Sequence, residues 1–257
     1  MSSPVQRADR ARWWGDPVGE TRWVLEAARL LLDPVAYGRG VPAGDGRHAV
    51  LVPGFLAGDE SLALMSAWLR LIGYRPRGAG FRFNVDCAER AAERVERAVE
   101  AAAQASGRRV AIIGHSRGGH LARAVAARRP ELVSHAISMG ADLQNLFGIS
   151  APTLSAVGIA RRTAHLSGRS RSADCFRSRC RCAFIRDYTA PFPVERVRLT
   201  SIFTKGDGVV RWERAIVPEA TCIEVTGSHI GMIASRKTYR AIAESLALAE
   251  LAGADEH

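Results

Sequence analysis

The chain has 257 residues, of which 47% are hydrophobic and 24% charged. That balance belongs to a globular protein with room for one large domain, and it excludes disorder over most of the length. The formal charge is +10. However, Lys205 and Lys237 are the only lysines and the arginines are spread along the whole chain. We therefore read the charge as general surface charge and expect no nucleic-acid partner.

No apolar run approaches the roughly 18 residues that span a bilayer. The first residues carry Arg7, Asp9, Arg10 and Arg12 without an apolar core, so no secretory leader is expected and a cytoplasmic location is the expectation. The five cysteines are too few and too odd in number for a disulfide framework.

Residues 1–20 read as an irregular lead-in, with Pro4, Gly15, Pro17 and Gly19. Helical spacing of Trp23, Val24, Ala27, Leu30 and Leu31 predicts a helix over Glu20–Leu32, stopped by Asp33-Pro34. Trp13, Trp14 and Trp23 are read as packing of this segment onto the domain, in preference to a membrane-facing surface. A Gly-rich linker leads to a short buried strand over His48–Pro53. Ser61–Ile72 is an amphipathic helix, and Tyr74–Phe83 an extended piece interrupted by glycine. Asp86 is taken as the N-cap of a long helix through Ala105.

Arg109–Gly114 is a continuous apolar run, as expected of a strand covered on both faces. A helix follows over His120–Arg128. Strands are expected over Leu132–Met139, Arg198–Phe203 and Thr221–Val225, and a final amphipathic helix over Ala234–Leu251. Strands alternating with helices predict an α/β fold with a mainly parallel sheet. Asp142–Pro193 shows no clear period, and so long an irregular segment suggests a cap or binding loop. The expected organisation is a helical lead-in over 1–47 packed on an α/β domain over 48–257, with an insertion at about 142–193.

Gly114-His-Ser116-Arg-Gly118 fits G-x-S-x-G, after a strand and before a helix. The chemistry needs Ser116 on a tight turn with its hydroxyl above the sheet. Gly114 and Gly118 fall where a side chain would collide with backbone. A serine hydroxyl needs a base. Of the downstream histidines, His120 lies on the following helix, His135 in a strand, His165 in the irregular segment and His257 at the end. Only His229, in Thr226-Gly-Ser-His229-Ile-Gly231, sits just past a strand. The acid that orients it is expected at Asp207, in Lys205-Gly-Asp207-Gly, with Asp142 the main competitor and Asp187 a further one. Two backbone N–H donors are needed for the tetrahedral intermediate. Arg117, the residue after the nucleophile, is one. Phe55, in Pro53-Gly54-Phe55 after the first core strand, is the other, unless Pro53-Gly54 is merely a turn. The Arg117 side chain either points at the cleft or sits on the surface.

These four motifs, in their order along the chain, resemble the α/β-hydrolase superfamily, and within it small bacterial serine lipases and esterases. The likeness covers about 48–141 and 198–250. It implies Ser116, Asp207 and His229 as the catalytic triad and Phe55 and Arg117 as the oxyanion hole. Two features depart from the family pattern. Pro53 stands where the oxyanion loop usually has histidine, and the insertion is longer than in the smallest members. The implied activity is hydrolysis of a small-molecule carboxylic ester or lipid ester through an acyl-enzyme, with no cofactor and no metal. Thioester hydrolysis or acyl transfer on the same triad is the alternative, and a non-catalytic binding protein of this fold the second. Cys175, Cys180 and Cys182 are read as free thiols, ahead of a disulfide, local or to Cys222, and of a zinc site completed by His165.

Overall fold

The computed structural model describes residues 15–16, 18–146, 149–168 and 181–250. Its centre is a six-stranded sheet in the order β2-β1-β3-β4-β5-β6. The strands are β1 (His48–Val52), β2 (Arg75–Gly78), β3 (Val110–His115), β4 (Val133–Met139), β5 (Arg198–Thr204) and β6 (Thr221–Val225). Every neighbouring pair is parallel. Parallel strands need crossovers, and here helices supply them on both faces. On one face α3 (Ala88–Ser106), α4 (Arg117–Arg128) and α6 (Ala183–Thr189) enclose a core with Val50, Ile112 and Ala136. On the other, α1 (Trp23–Leu31), α2 (Ala63–Leu71) and α7 (Arg236–Ala247) enclose Leu51, Ile113 and Ile137. The strands supply both cores by alternation, so β3 is buried along its whole length and its sequence is a continuous apolar run.

The chain winds outward from β1 to β2, then returns past β1 to place β3 on its other side. The loops leaving β1 and β3 therefore diverge, which opens a crevice at the carboxyl ends of these strands. This is where the Pro53-Gly54-Phe55 and Ser116 segments lie.

Several expectations about elements need correction. Asp86 does not cap α3. Cys87 occupies the cap position with no side-chain cap bond, because the Asp86 carbonyl receives the Arg117 guanidinium and its carboxylate faces Arg94 at 3.6 Å. The last helix is shorter, Arg236–Ala247, and a 3-10 turn over Ile230–Ala234 precedes it. The stretch expected to be irregular contains α5 (Ala151–Leu166) and α6. Helix α5 leaves Leu154, Ile159 and Leu166 exposed, so no continuous apolar stripe marks it in the sequence.

Helix α6 is fixed to the domain by charge. Arg128 of α4 bonds Glu89 and Glu96 of α3 and Asp187 of α6 at 3.1, 3.0 and 2.6 Å. The Phe184 N–H also donates to Glu89.

The N-terminal segment packs through Leu30 and Val35. Trp23, expected to pack, is 45% exposed, because polar contacts described below set the rotation of α1. Trp13 and Trp14 lie outside the described residues. Among the described residues no helix is long and apolar enough to cross a membrane.

Trp68 of α2 donates its indole N–H to the Val35 carbonyl at 2.7 Å and packs on Tyr239 of α7 at 4.5 Å between ring centroids. Trp68→Phe keeps most of the apolar contact but strands a buried carbonyl. We expect it to destabilise the fold by about 1–3 kcal/mol, read as a lower urea midpoint with an unchanged slope. An unchanged midpoint would contradict this account of how the lead-in is held.

Candidate active site

Ser116 links β3 to α4 in a single residue with φ 53° and ψ −121°. A non-glycine residue held there is strained, and such strain persists only where its surroundings enforce it. The surroundings are close. Its N–H donates to the Met139 carbonyl of β4 at 2.7 Å. A Cβ on Gly114 would lie 2.1 Å from the Gly118 carbonyl oxygen, and one on Gly118 would lie 2.1 Å from that of Val52. Both glycines are thus required by close approach of backbone, as the motif predicts.

His229 and Asp207 come from the loops after β6 and β5. The His229 Nδ1–H donates to Asp207 Oδ2 at 2.7 Å, with both side chains buried. That bond fixes the tautomer and leaves the Nε2 lone pair as the basic site. The other Asp207 oxygen accepts the N–H groups of Val209 and Val210 at 2.8 and 2.7 Å, so the carboxylate cannot turn away without losing two bonds. Burial works against a charged His229. The charge and hydrogen bond of Asp207, with the charge of Glu20, outweigh it and raise the imidazole above its ordinary value.

The competing acids are engaged elsewhere. Asp142 accepts the Asn145 N–H at 2.6 Å, and Asp187 is paired with Arg128. Of the other histidines, His120 is buried in α4 and held down to about 4 by burial and by Arg117. His135 is buried in β4 and lowered to about 4 by burial and nearby arginines. His165 lies at the end of α5, and His257 is outside the described residues.

Ser116 and the His229–Asp207 pair lie against the same turn. A Cβ on Gly140, which follows the Met139 carbonyl that holds Ser116, would come 3.1 Å from His229 Nδ1 and 3.2 Å from Asp207 Oδ2. His115, beside Ser116, donates its Nε2–H to the His229 carbonyl at 2.9 Å, and the two rings are 4.8 Å apart. Burial and His229 push His115 down to about 3, so it stays neutral and acts as a fixed donor. Among the described residues no hydrogen bond joins the Ser116 hydroxyl to His229.

Phe55, Ser116 and Arg117 line a pocket of about 110 Å³, together with Leu121, Leu146, Ile185 and Val210. The cap helices α5 and α6 supply Val157 and Phe184. Leu56, beside Phe55, has a positive φ of 63°, a second strained turn facing the first. Arg117 opens α4, so its N–H belongs to the helix end that carries partial positive charge. The residue lines the cleft, and its side chain is half-buried there rather than on the surface. The guanidinium turns inward and donates to the Asn84 and Asp86 carbonyls, while Asn84 Nδ2 donates to the Pro53 carbonyl at 2.8 Å. Burial holds Arg117 down to about 10. This chain of bonds ties the serine turn to the Pro53-Gly54-Phe55 loop, and no sequence motif announces it.

Glu20, Glu26 and His115 also touch the loop that carries His229, and no sequence motif marks them. Glu20 accepts N–H groups of Gly208, His229 and Ile230, and Glu26 accepts from Ser228. Among the described residues no three His, Cys, Asp or Glu side chains form a metal-ligand group. Cys182 and Cys222 are free thiols, which rules out a bridge between them; Cys175 and Cys180 lie outside the described residues.

Comparison with known proteins bears on the fold. The mature lipase BlEst2 of Bacillus licheniformis superposes with a TM-score of 0.58 at 17% identity, over 81% of this chain and 95% of the other. A structure from work on carboxylesterases of the thaumarchaeon Nitrososphaera gargenis gives 0.54 at 16%, over 80% and 92%. No curated protein matches the sequence. A family model described as the alpha/beta hydrolase fold matches residues 52–201. That span exceeds half of the chain and runs from the end of β1, through the serine turn, into β5, and the chain therefore belongs to the α/β-hydrolase family.

Proposed function

We propose that the protein is a serine hydrolase of carboxylic esters. The observation that carries this reading is the buried 2.7 Å bond between His229 and Asp207, against the same turn as a strained serine that lines an apolar pocket. Ser116 Oγ attacks the ester carbonyl while His229 Nε2 takes its proton. The carbonyl oxygen becomes an oxyanion that accepts the Phe55 and Arg117 N–H groups. The intermediate collapses, the carbon–oxygen bond to the alcohol breaks, and His229 gives its proton to that leaving oxygen. Water then repeats the sequence. It loses a proton to His229, attacks the acyl carbon and releases the acid and free Ser116. Asp207 keeps the imidazole oriented and stabilises its charged form without taking the proton itself.

The pocket supports a substrate class. An apolar cavity of about 150 Å³ holds a benzene ring, so one of about 110 Å³ suits a short acyl chain, on the order of four to six carbons. Its apolar lining offers little to hold a charged acyl group.

Three outcomes follow. Ser116→Ala should abolish hydrolysis of p-nitrophenyl butyrate, and Asp207→Asn should lower turnover by roughly 10³–10⁴-fold, whereas Asp142→Asn should leave the mechanism intact. Equal rates for Ser116→Ala and wild type would remove Ser116 from the reaction. In a chain-length series, kcat/KM should peak at short acyl groups and fall steeply by palmitate; a maximum at palmitate would contradict the pocket assignment. The third concerns pH. The base works only when neutral, and Asp207 and Glu20 raise the His229 pKa against burial. Thus kcat/KM should fall as pH drops through a single limb lying above 6.5, the ordinary histidine value. His115, down near 3, adds no second limb in that range.

A further inference from the structure

Glu20 lies 209 residues before His229, in a 3-10 turn over Gly19–Arg22. Its side chain nevertheless reaches into the site, and the residue is only 6% exposed. Oε1 accepts the Gly208 N–H at 2.9 Å and the His229 N–H at 3.0 Å. Oε2 accepts the Ile230 N–H at 2.8 Å. One carboxylate thus bridges the backbone beside the acid and the backbone of the base. Glu26, two turns along, repeats the device on the residue before His229, taking the Ser228 N–H and hydroxyl at 2.9 and 3.0 Å. A Cβ on Gly231 would fall 1.2 Å from Glu26 Oε2, so the histidine loop is shaped around these carboxylates. A single carboxylate that accepts three N–H groups from two loops fixes their separation more tightly than either loop can alone.

We propose that Glu20 is a positioning residue for the His229–Asp207 pair, and that the N-terminal segment is by this contact part of the catalytic apparatus. The proposal rests on the reading of His229 as the general base. Glu20 touches no reacting atom and does not line the acyl pocket. It acts through backbone geometry and through its charge on the imidazole.

The charged and titratable groups around His229 can be named. Asp207 faces it from the β5 loop, His115 from the end of β3, and Glu20 from the 3-10 turn. Glu26 of α1 meets the preceding residue, Ser228. Helix α2 turns the uncharged Met65, Trp68 and Leu69 inward. On α7, Arg236 is paired with Asp33, and Tyr239, whose pKa burial raises, donates its hydroxyl to the Ile233 carbonyl; Arg22, Arg29 and Lys237 stand beside Thr226 and Gly227 at the base of the same loop. Removing the Glu20 charge therefore removes a contribution that favours protonated His229, which lowers its pKa and carries the acid limb of the rate profile to lower pH.

The test compares Glu20→Gln and Glu20→Asp in the full chain, with p-nitrophenyl butyrate as substrate. A displacement of about 1 Å at a catalytic group costs up to ~10²-fold, so Glu20→Gln should lower kcat roughly 10–100-fold with KM unchanged, and its acid limb should move down. Glu20→Asp keeps the charge but is one methylene too short to reach all three N–H groups. It should lower kcat and leave the limb in place. The second variant decides alone if the first does not fold. Wild-type kcat in Glu20→Asp, or a wild-type limb in a folded Glu20→Gln, would overturn the proposal. So would rate losses that merely follow the fraction unfolded. Titration of the His229 ring by NMR gives the same pKa comparison without turnover. If wild type hydrolysed no ester, the proposed function would fall, and the NMR shift would still decide the role of Glu20.

Discussion

The constraint on which the site depends is that the chain passes from β3 to α4 in one residue. Ser116 does this at φ 53°, a conformation that costs of order 1–3 kcal/mol. The strain is sustained because backbone presses on it from β1 and β4 at once, through Gly118 against Val52 and through the Ser116 N–H on Met139. A larger residue at 114 or 118 would drive these chains apart. The turn also orders much of the rest. It sets where α4 begins, and α4 carries Arg117, which ties down the Phe55 loop, and Arg128, which ties down the cap helix α6.

A buried polar site of this kind is stable only if its groups are satisfied. Each carboxylate oxygen of Asp207 and Glu20 has a donor, and most have a backbone N–H. Backbone donors are held by the fold, so the side chains bound to them are held as well. The consequence is a His229–Asp207 pair held in one arrangement, supported from the far end of the sequence by Glu20 and Glu26. On the cap side, by contrast, α5 leaves Leu154, Ile159 and Leu166 in solvent.

Much of this was legible in the sequence, and the reasons are physical. The alternation of apolar strands with amphipathic helices marks a parallel sheet because both of its faces must be covered. The spacing of Gly114, Ser116 and Gly118 is readable because steric exclusion acts within five residues. His229 stood out because only it followed a strand end, and Asp207 because it lay one strand earlier. What was not legible depends on distant parts of the chain. Glu20 and Glu26 look like ordinary charged residues of a surface helix, and nothing local shows that they meet backbone more than 200 residues away. The bonds of the Arg117 side chain to the Asn84 and Asp86 carbonyls are of the same kind, because the sequence does not display which carbonyls the fold brings to it. Helix α5 escaped because a helix with little core contact needs no strict apolar period. Asp86 was mistaken for a cap because its residue type suits one, whereas the tertiary bond from Arg117 places it otherwise.

The account turns on a covalent bond at one oxygen. Enzyme mixed with p-nitrophenyl butyrate and quenched in acid during turnover, then digested and analysed by mass spectrometry, should carry a butyryl group on the peptide that contains Ser116, and fragmentation should place it on that serine. Ester turnover with Ser116 unmodified, or with the acyl group on another residue, would contradict the mechanism.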